Sequence, residues 1–446
     1  MNRRQLLAVS GALAAATLAG CTGGDGQTPK QNGGGVGVPD ENEGTPTDQP
    51  AVDGNPQADS ELLAELAAGN ATFALDLHQR LADGGNQFFS PYSISVALAM
   101  TFAGARGDTR EEMRDVLQYT LGEEVHAGFG DLQAALAARE TTQDPGDEEE
   151  VDAFRLEAAN ALWGAEGVEF AEEYLATLDD SYGAGLKRAA FGDDPDGERE
   201  RINDWVADVT EDRIDELLAP GSITPQTVLV LTNAIYFMAS WSQEFDPENT
   251  EEGTFRALDG SESAVPFMHQ ELRAEYAALS NAQAVELPYV GQEVSMVLLV
   301  PDEGEFETFE ANLDADRLFG IFRELGDTRG QLAMPKFEVE TELQLGEALS
   351  EMGMETAFGG GANFDGMVEG TSDCWIDEVF HDAVVTVDEE GTEAAAATAV
   401  PMDQSAPPEW GELRLDRPFL FCIRDRPTDA VLFLGRVADA GAATPE

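Results

Sequence analysis

Apolar residues recur at helical spacing through the first part of the chain. Leu62, Leu63, Leu66, Phe73, Ala74, Leu77 and Leu81 share one face of a helix predicted over 59–82. Ser90-Pro91 then opens a second helix, with the serine as N-cap and the proline at the first helical position. That helix carries Ile94, Val96, Ala97, Leu98, Met100 and Phe102. A helix apolar nearly all round belongs inside a core. Asp108 is read as the cap of a third helix over 109–117. Residues 198–218 put Ile202, Trp205, Val206, Val209, Ile214 and Leu217 on one side of a long amphipathic helix. Strand patterns take over further on, at 227–237, 285–289, 294–300, 331–339, 383–387, 418–423 and 430–437. Helices dominate early and strands late, with no regular βαβ alternation. The fold class is therefore α+β, with antiparallel or mixed sheets.

One segment breaks the usual patterns. Residues 388–400 read D-E-E-G-T-E-A-A-A-A-T-A-V and follow directly on a strand. Small side chains fill every step from Ala394 to Ala397. In an extended chain Thr392, Ala394, Ala396, Thr398, Val400 and Met402 share one face, and none is charged. Glu393 and Asp403 fall on the other face. Uniform smallness suits a loop that must enter a packed sheet, where large or charged groups would clash or be buried unpaired. Such composition also suits a flexible linker or a short helix.

Charge changes the picture next. The chain has 446 residues, 87 Asp+Glu and 25 Lys+Arg, for a net charge of -62. Lys30, Lys187 and Lys336 are its only lysines. Self-repulsion of this size opposes compaction unless salt screens it, which points to a protein working in concentrated salt. Nucleic acid is excluded as a partner, because phosphate binding needs a basic face.

The first 21 residues carry paired arginines (Arg3, Arg4), an apolar run from Leu6 to Leu18 and a Leu-Ala-Gly-Cys end at Cys21. They resemble a twin-arginine export signal closing in a lipoprotein box, with Cys21 as the lipid-bearing residue; a plain secretory signal is the alternative. Residues 22–57 have almost no large apolar side chain and read as a disordered acidic tether. The folded domain is placed at 58–440, with a tail at 441–446, and residues 141–150 are read as an acidic surface loop. Cys374 and Cys422 lie in apolar contexts and are expected to be buried free thiols.

Several stretches together resemble the serpin family. They are Asn86–Ile94, Gly104–Thr109, Leu231–Phe237 with Trp241 and 245–250, the hinge-like 384–398, and the C-terminal 417–421 and 432–437. They follow the family's order across nearly all of 58–440. The resemblance implies three β-sheets, about eight or nine helices and an exposed reactive loop at about 389–412. It implies a monomer that is not an enzyme and uses no cofactor or metal. The activity implied is suicide inhibition of serine proteases. The protease cuts the loop, and the cut loop inserts into the central sheet before the acyl-enzyme is hydrolysed.

The resemblance assigns roles residue by residue. Glu389, Glu390, Gly391, Thr392, Glu393, Ala394, Ala395, Ala396, Ala397 and Thr398 match the hinge, with Gly391 as its glycine. Ser90, Ser93, Asn233 and His381 match the cluster that holds the central sheet shut. Trp241 matches the tryptophan where insertion begins. Glu389 is expected at the top of the preceding strand, beside a cation. The usual hinge-to-cut distance puts the scissile bond at Ser405-Ala406. Alignment on Pro407-Pro408-Glu409 moves it to Gln404-Ser405, and the local Pro401-Met402 pair suggests Met402-Asp403. None offers Arg or Lys, so subtilisin-, chymotrypsin- or elastase-like proteases are the expected partners. Trp410-Gly411-Glu412 departs from the family spacing. With the signal, this places the protein outside the cell, lipid-anchored to the outer face of the membrane through Cys21.

Enzyme readings find no support. The chain has no G-x-S-x-G elbow, no H-E-x-x-H, no C-x-x-C and no P-loop. Its four histidines, His78, His126, His269 and His381, are widely separated. Two other readings remain. A non-inhibitory serpin would act as an extracellular binding module, although its hinge would be expected to carry bulky, charged or proline residues. A solute-capturing lipoprotein would suit the signal and tether alone.

Overall fold

The computed structural model describes residues 60–444 apart from 83, 140, 144–150, 184–185, 215, 371–373 and 393–408. All of these belong to one unit, Thr47–Glu446. Cys21, the signal, the tether, and the loop positions Glu393, Ala394, Ala395, Ala396, Ala397, Thr398, Met402, Asp403, Gln404, Ser405 and Ala406 lie outside the described residues.

Nine α-helices occur among the described residues: α1 (Ser60–Leu81), α2 (Pro91–Phe102), α3 (Gly107–Val116), α4 (Glu124–Ala137), α5 (Glu172–Tyr182), α6 (Pro195–Val209), α7 (Phe306–Ala311), α8 (Ala315–Glu324) and α9 (Gly346–Glu351). Every residue of α2 is buried, and the Ser90 hydroxyl caps it by accepting from the Ser93 amide at 3.1 Å. Two helix expectations need correction. Helix α3 begins at Gly107 with Arg106 at the cap, so Asp108 lies inside the first turn, where its charge faces the positive helix end. Helix α6 stops at Val209, well short of 218, because Glu211 and Asp212 turn left-handed. Ile214 and Leu217 are still buried, but from the loop beyond. Asn203 holds that loop by donating to the Leu218 carbonyl and accepting from the Leu218 amide.

Sixteen strands accompany the helices among the described residues. They run β1 (Gln87–Phe89), β2 (Thr141–Gln143), β3 (Val151–Ala165), β4 (Lys187–Ala189), β5 (Leu229–Ser240), β6 (Glu251–Arg256), β7 (Glu262–Ala278) and β8 (Ala282–Pro288). Then follow β9 (Val294–Pro301), β10 (Gly326–Pro335), β11 (Phe337–Gln344), β12 (Phe380–Val387), β13 (Gly391–Thr392), β14 (Glu409–Arg414), β15 (Phe419–Asp425) and β16 (Ala430–Val437). Residues 141–143 are thus not loop; they pair with the start of β3. Strand β3 is absent from the strands predicted by pattern, its middle being alanine-rich, yet it pairs with β5 from Phe154 to Gly164. Here tertiary pairing overrides local propensity.

The strands form a nine-stranded and a seven-stranded sheet. The larger contains two of the three expected sheets, joined because β7 pairs with β6 over Glu262–Phe267, with β10 over Phe267–Tyr276 and with β8 over Glu275–Ala278. Strand β14 pairs with β10 in parallel, with a bulge that sets Trp410 out of register. The Trp410 ring stacks on Tyr276 with centroids 5.0 Å apart, which accommodates the unusual Trp410-Gly411-Glu412 spacing. The seven-stranded sheet runs β11-β12-β13-β5-β3-β2, with β4 beside β3. Helix α2 packs against β3 and β5 of this sheet and β16 of the other. Phe237 and Phe433 meet across the core at 5.3 Å.

Candidate functional site at the parting of the seven-stranded sheet

Strands β5 and β12 are parallel neighbours that touch over four residues only, Phe380–Ala383 against Thr232–Ile235. Beyond Ala383, β12 stays paired to β11 on its far side, and β5 stays paired to β3. Their facing edges separate. At the far end of the gap sits β13, with Thr392 opposite Val387 on one side and Ala239 on the other. An edge left unpaired inside a sheet is a template for another strand.

The lower end of the gap is closed by a polar network inside the core. Ser90, Ser93, Asn233 and His381 are all fully buried, and the structure brings all four together. The Ser90 amide donates to His381 Nε2 at 3.0 Å, so that nitrogen is bare and Nδ1 carries the proton, donated to Asn233 Oδ1. Asn233 Nδ2 donates to Ser93 Oγ and to Asn160 Oδ1, each at 2.7 Å. Ser93 Oγ donates to Asn160 at 3.0 Å, and Ser90 Oγ donates to the Leu432 carbonyl at 2.7 Å. The His381–Asn233 bond crosses directly from β12 to β5. Burial pushes the His381 imidazole down to about 3, so it stays neutral and its tautomer is fixed.

The upper end is built around the turn after β12. Asp388 Oδ1 accepts from the Glu390 and Gly391 amides, and the Asp388 amide donates to the Gly391 carbonyl. A Cβ at Gly391 would come 2.2 Å from the Ala239 carbonyl oxygen, so only glycine allows this close approach to β5. Trp241 is buried beneath the turn. Its amide donates to the Glu390 carbonyl, its indole to the Asp388 carbonyl at 3.0 Å, and its ring stacks on Tyr289 at 4.6 Å.

Glu389 lies in the turn after β12, beside a cation. Lys336 Nζ is 2.6 Å away, and Thr250 Oγ1 donates to it at 2.6 Å. Burial alone would raise this carboxyl; the bonds from Lys336 and Thr250 outweigh it and hold the carboxyl below its usual range. Glu390 is raised by desolvation and by its neighbours Asp388 and Glu389.

Four contributors escaped the sequence reading: Asn160, Lys336, Thr250 and Tyr289. Lys336 had a signal, as one of three lysines in a chain dominated by carboxylates. Cys374 and Cys422 are buried thiols outside any disulfide, and burial pushes the Cys422 thiol up to about 12. Among the described residues no three His, Cys, Asp or Glu side chains are grouped to hold a metal ion.

Comparison with known proteins agrees with this geometry. The family model for serpins (serine protease inhibitor) matches residues 68–440. An uncharacterized serpin-like protein of Thermococcus kodakarensis is 38% identical over 371 residues, spanning 82% of this chain and 84% of its own length. The leukocyte elastase inhibitor of Bos taurus is 37% identical over 390 residues, 84% of this chain and 100% of its own. The crystal structure of tengpin, a thermophilic serpin in the native state, aligns with TM-score 0.74 at 28% identity, covering 86% of this chain and 95% of that one. The chain belongs to the serpin family. Most serpins inhibit serine proteases, and they are not themselves enzymes.

Proposed function

We propose that this chain is an irreversible, single-use inhibitor of serine proteases of the subtilisin, chymotrypsin or elastase type. One observation carries the reading: Gly391–Thr392 already sits between β5 and β12 in antiparallel register with both. Continuing that register puts Glu393 opposite Met238 and Thr386, Ala394 opposite Phe237 and Val385, and Ala396 opposite Ile235 and Ala383. Thr398 then falls between Asn233 and His381. The core-facing residues of the incoming strand are Thr392, Ala394, Ala396 and Thr398, all small. The charge of Glu393 points outward.

Complete insertion must therefore part the four-residue β5–β12 ladder and break the His381–Asn233 bond. Ladders along both sides of the new strand replace what is lost. Before cleavage the loop is tethered at both ends and cannot thread through. The protease serine attacks the carbonyl carbon of the scissile residue, the amine of the next residue leaves with a proton, and the new ester ties the protease to the freed end. Ser405-Ala406 is the proposed bond, with Gln404-Ser405 and Met402-Asp403 as alternatives that the mass of the released peptide distinguishes. Insertion then carries the protease away before water reaches the ester.

The test mixes the purified chain with each protease in concentrated salt. Inhibition gives a complex that survives boiling in detergent, and loop cleavage raises the melting temperature by more than ~10 °C. Cleavage with no complex and an unchanged melting temperature would contradict the proposal and leave the extracellular binding-module reading. The setting we propose is the outer face of a cell in concentrated salt, with the domain held as a monomer on the 22–57 tether. The net charge of -62 and the Arg3-Arg4 to Cys21 segment support it. Release of a Cys21→Ala variant into the medium, with the parent retained on membranes, tests the anchor.

A further inference from the structure

Tyr289 follows β8 and is fully buried beneath the upper end of the gap. Its backbone is fixed, since its amide donates to the Val294 carbonyl and the next amide, Val290, donates to the Ser240 carbonyl at the end of β5. Its ring is fixed too, stacked flat on Trp241 at 4.6 Å and set edge-on to Phe237 at 5.5 Å. One freedom remains, the direction of the hydroxyl. That hydroxyl meets Thr392 Oγ1 at 2.9 Å, the one hydrogen-bond partner described for it, and Thr392 is itself fully buried.

We infer that Tyr289 is a positioning residue that holds the hinge threonine in the sheet and fixes the register in which the rest of the loop enters. A buried phenol left without a partner is costly, so withdrawal of Thr392 is opposed. A slip of one residue would set Gly391 or Glu393 over the phenol. Glycine has no group to offer, and Glu393 would bring a carboxylate under the sheet. A slip of two would bring Ala394, which also has no hydroxyl. The next hydroxyl on the same face is Thr398. Between Gly391 and Ala397, Thr392 alone satisfies the phenol without burying a charge, and register errors in strands are otherwise cheap where side chains are uniformly small.

This inference rests on the inhibitory reading for its consequence, but not for its first test. Tyr289→Phe keeps the ring stack and removes only the hydroxyl. In the uncut protein, amide exchange of the peptide covering 388–392 is expected to quicken about fivefold, with the rest of the domain unchanged. With protease, the moles of inhibitor consumed per mole of protease trapped should rise about as much, while the rate of loop cleavage stays the same. Thr392→Val should reproduce both effects, and the double variant should be no worse than either single one.

Unchanged exchange at 388–392 in Tyr289→Phe would overturn the inference, as would additive losses in the double variant. A general loss of protection would also overturn it, by showing a fold defect. If the parent chain traps no protease, the inhibitory proposal fails and the exchange measurement alone decides the role of Tyr289.

Discussion

The two sheets of this molecule share a core but differ in how completely they are sewn. In the nine-stranded sheet β15 pairs along its length with β16 on one side and β9 on the other, and every residue of β15 and β16 is buried. In the seven-stranded sheet β5 is almost as buried, yet it meets β12 over only four residues. Hydrophobicity does not separate the two cases. The difference is that pairing potential remains between β5 and β12, held at one end by His381 and Asn233 and at the other by Gly391–Thr392. A sheet with a place kept open can store a second, lower-energy arrangement that only chain cleavage releases.

The largest effect expected from breaking this contrast comes from charge on the core-facing side of the inserting strand. Ala396→Arg would bury a guanidinium between Ile235 and Ala383, and its trapped-complex yield should fall by more than ~tenfold while the loop is still cut. Ala395→Arg faces outward in the same register, and its yield should stay within ~twofold of the parent. Equal losses for the two variants, read as complex yield on denaturing gels, would show that the alternation is wrong.

The next effect is pH-dependent. The buried imidazole of His381 has its pKa lowered from 6.5 to about 3, so the unfolded chain takes up a proton first as pH falls. The stability tied to neutral His381 is fully present above pH 6.5 and is lost progressively down to about pH 3, by a few kcal/mol in all. Asp382, on the same strand, has the opposite sign. Desolvation and the facing Glu342 and Glu340 raise it from 3.8 to about 7, so its contribution worsens as pH rises through that window. The expected result is that Asp382→Asn melts higher than the parent at pH 8, and that the advantage shrinks toward pH 4. In that background the loss remaining below pH 6.5 comes from His381 together with His126, the second buried imidazole, which desolvation lowers to about 4. A flat melting profile from pH 7 to 4 in Asp382→Asn would contradict neutral, buried histidines at both positions.

The smallest effect concerns the upper end. Lys336→Met takes the cation from the buried Glu389 and should lower the stability of the uncut chain by about 1 kcal/mol. The loss should appear in denaturant midpoints at the same m-value. No change in midpoint would mean that the Lys336–Glu389 pair contributes nothing in concentrated salt.

Much of this was legible in the sequence because it depends on local pattern. The capped, almost wholly apolar α2, the β-branched β5 and the small-residue hinge all announce themselves in runs of consecutive residues. The cluster of Ser90, Ser93, Asn233 and His381 came from the family resemblance, and the geometry brings the four into contact. What stayed hidden depends on contacts across long stretches of chain. Asn160 is one polar residue in an alanine-rich run, and the strand it belongs to is defined by its pairing with β5. Tyr289 read as the end of a strand, and nothing in its neighbours points to Thr392, 103 positions away. The end of α6 was missed because its apolar period runs on into a loop that is also buried.

The most direct measurement is a structure of the chain after loop cleavage. Insertion requires Ala394 between Phe237 and Val385, Ala396 between Ile235 and Ala383, and Thr398 separating Asn233 from His381. A cleaved molecule in which Phe380–Ala383 still pairs with Thr232–Ile235, with the severed segment outside the sheet, would contradict it.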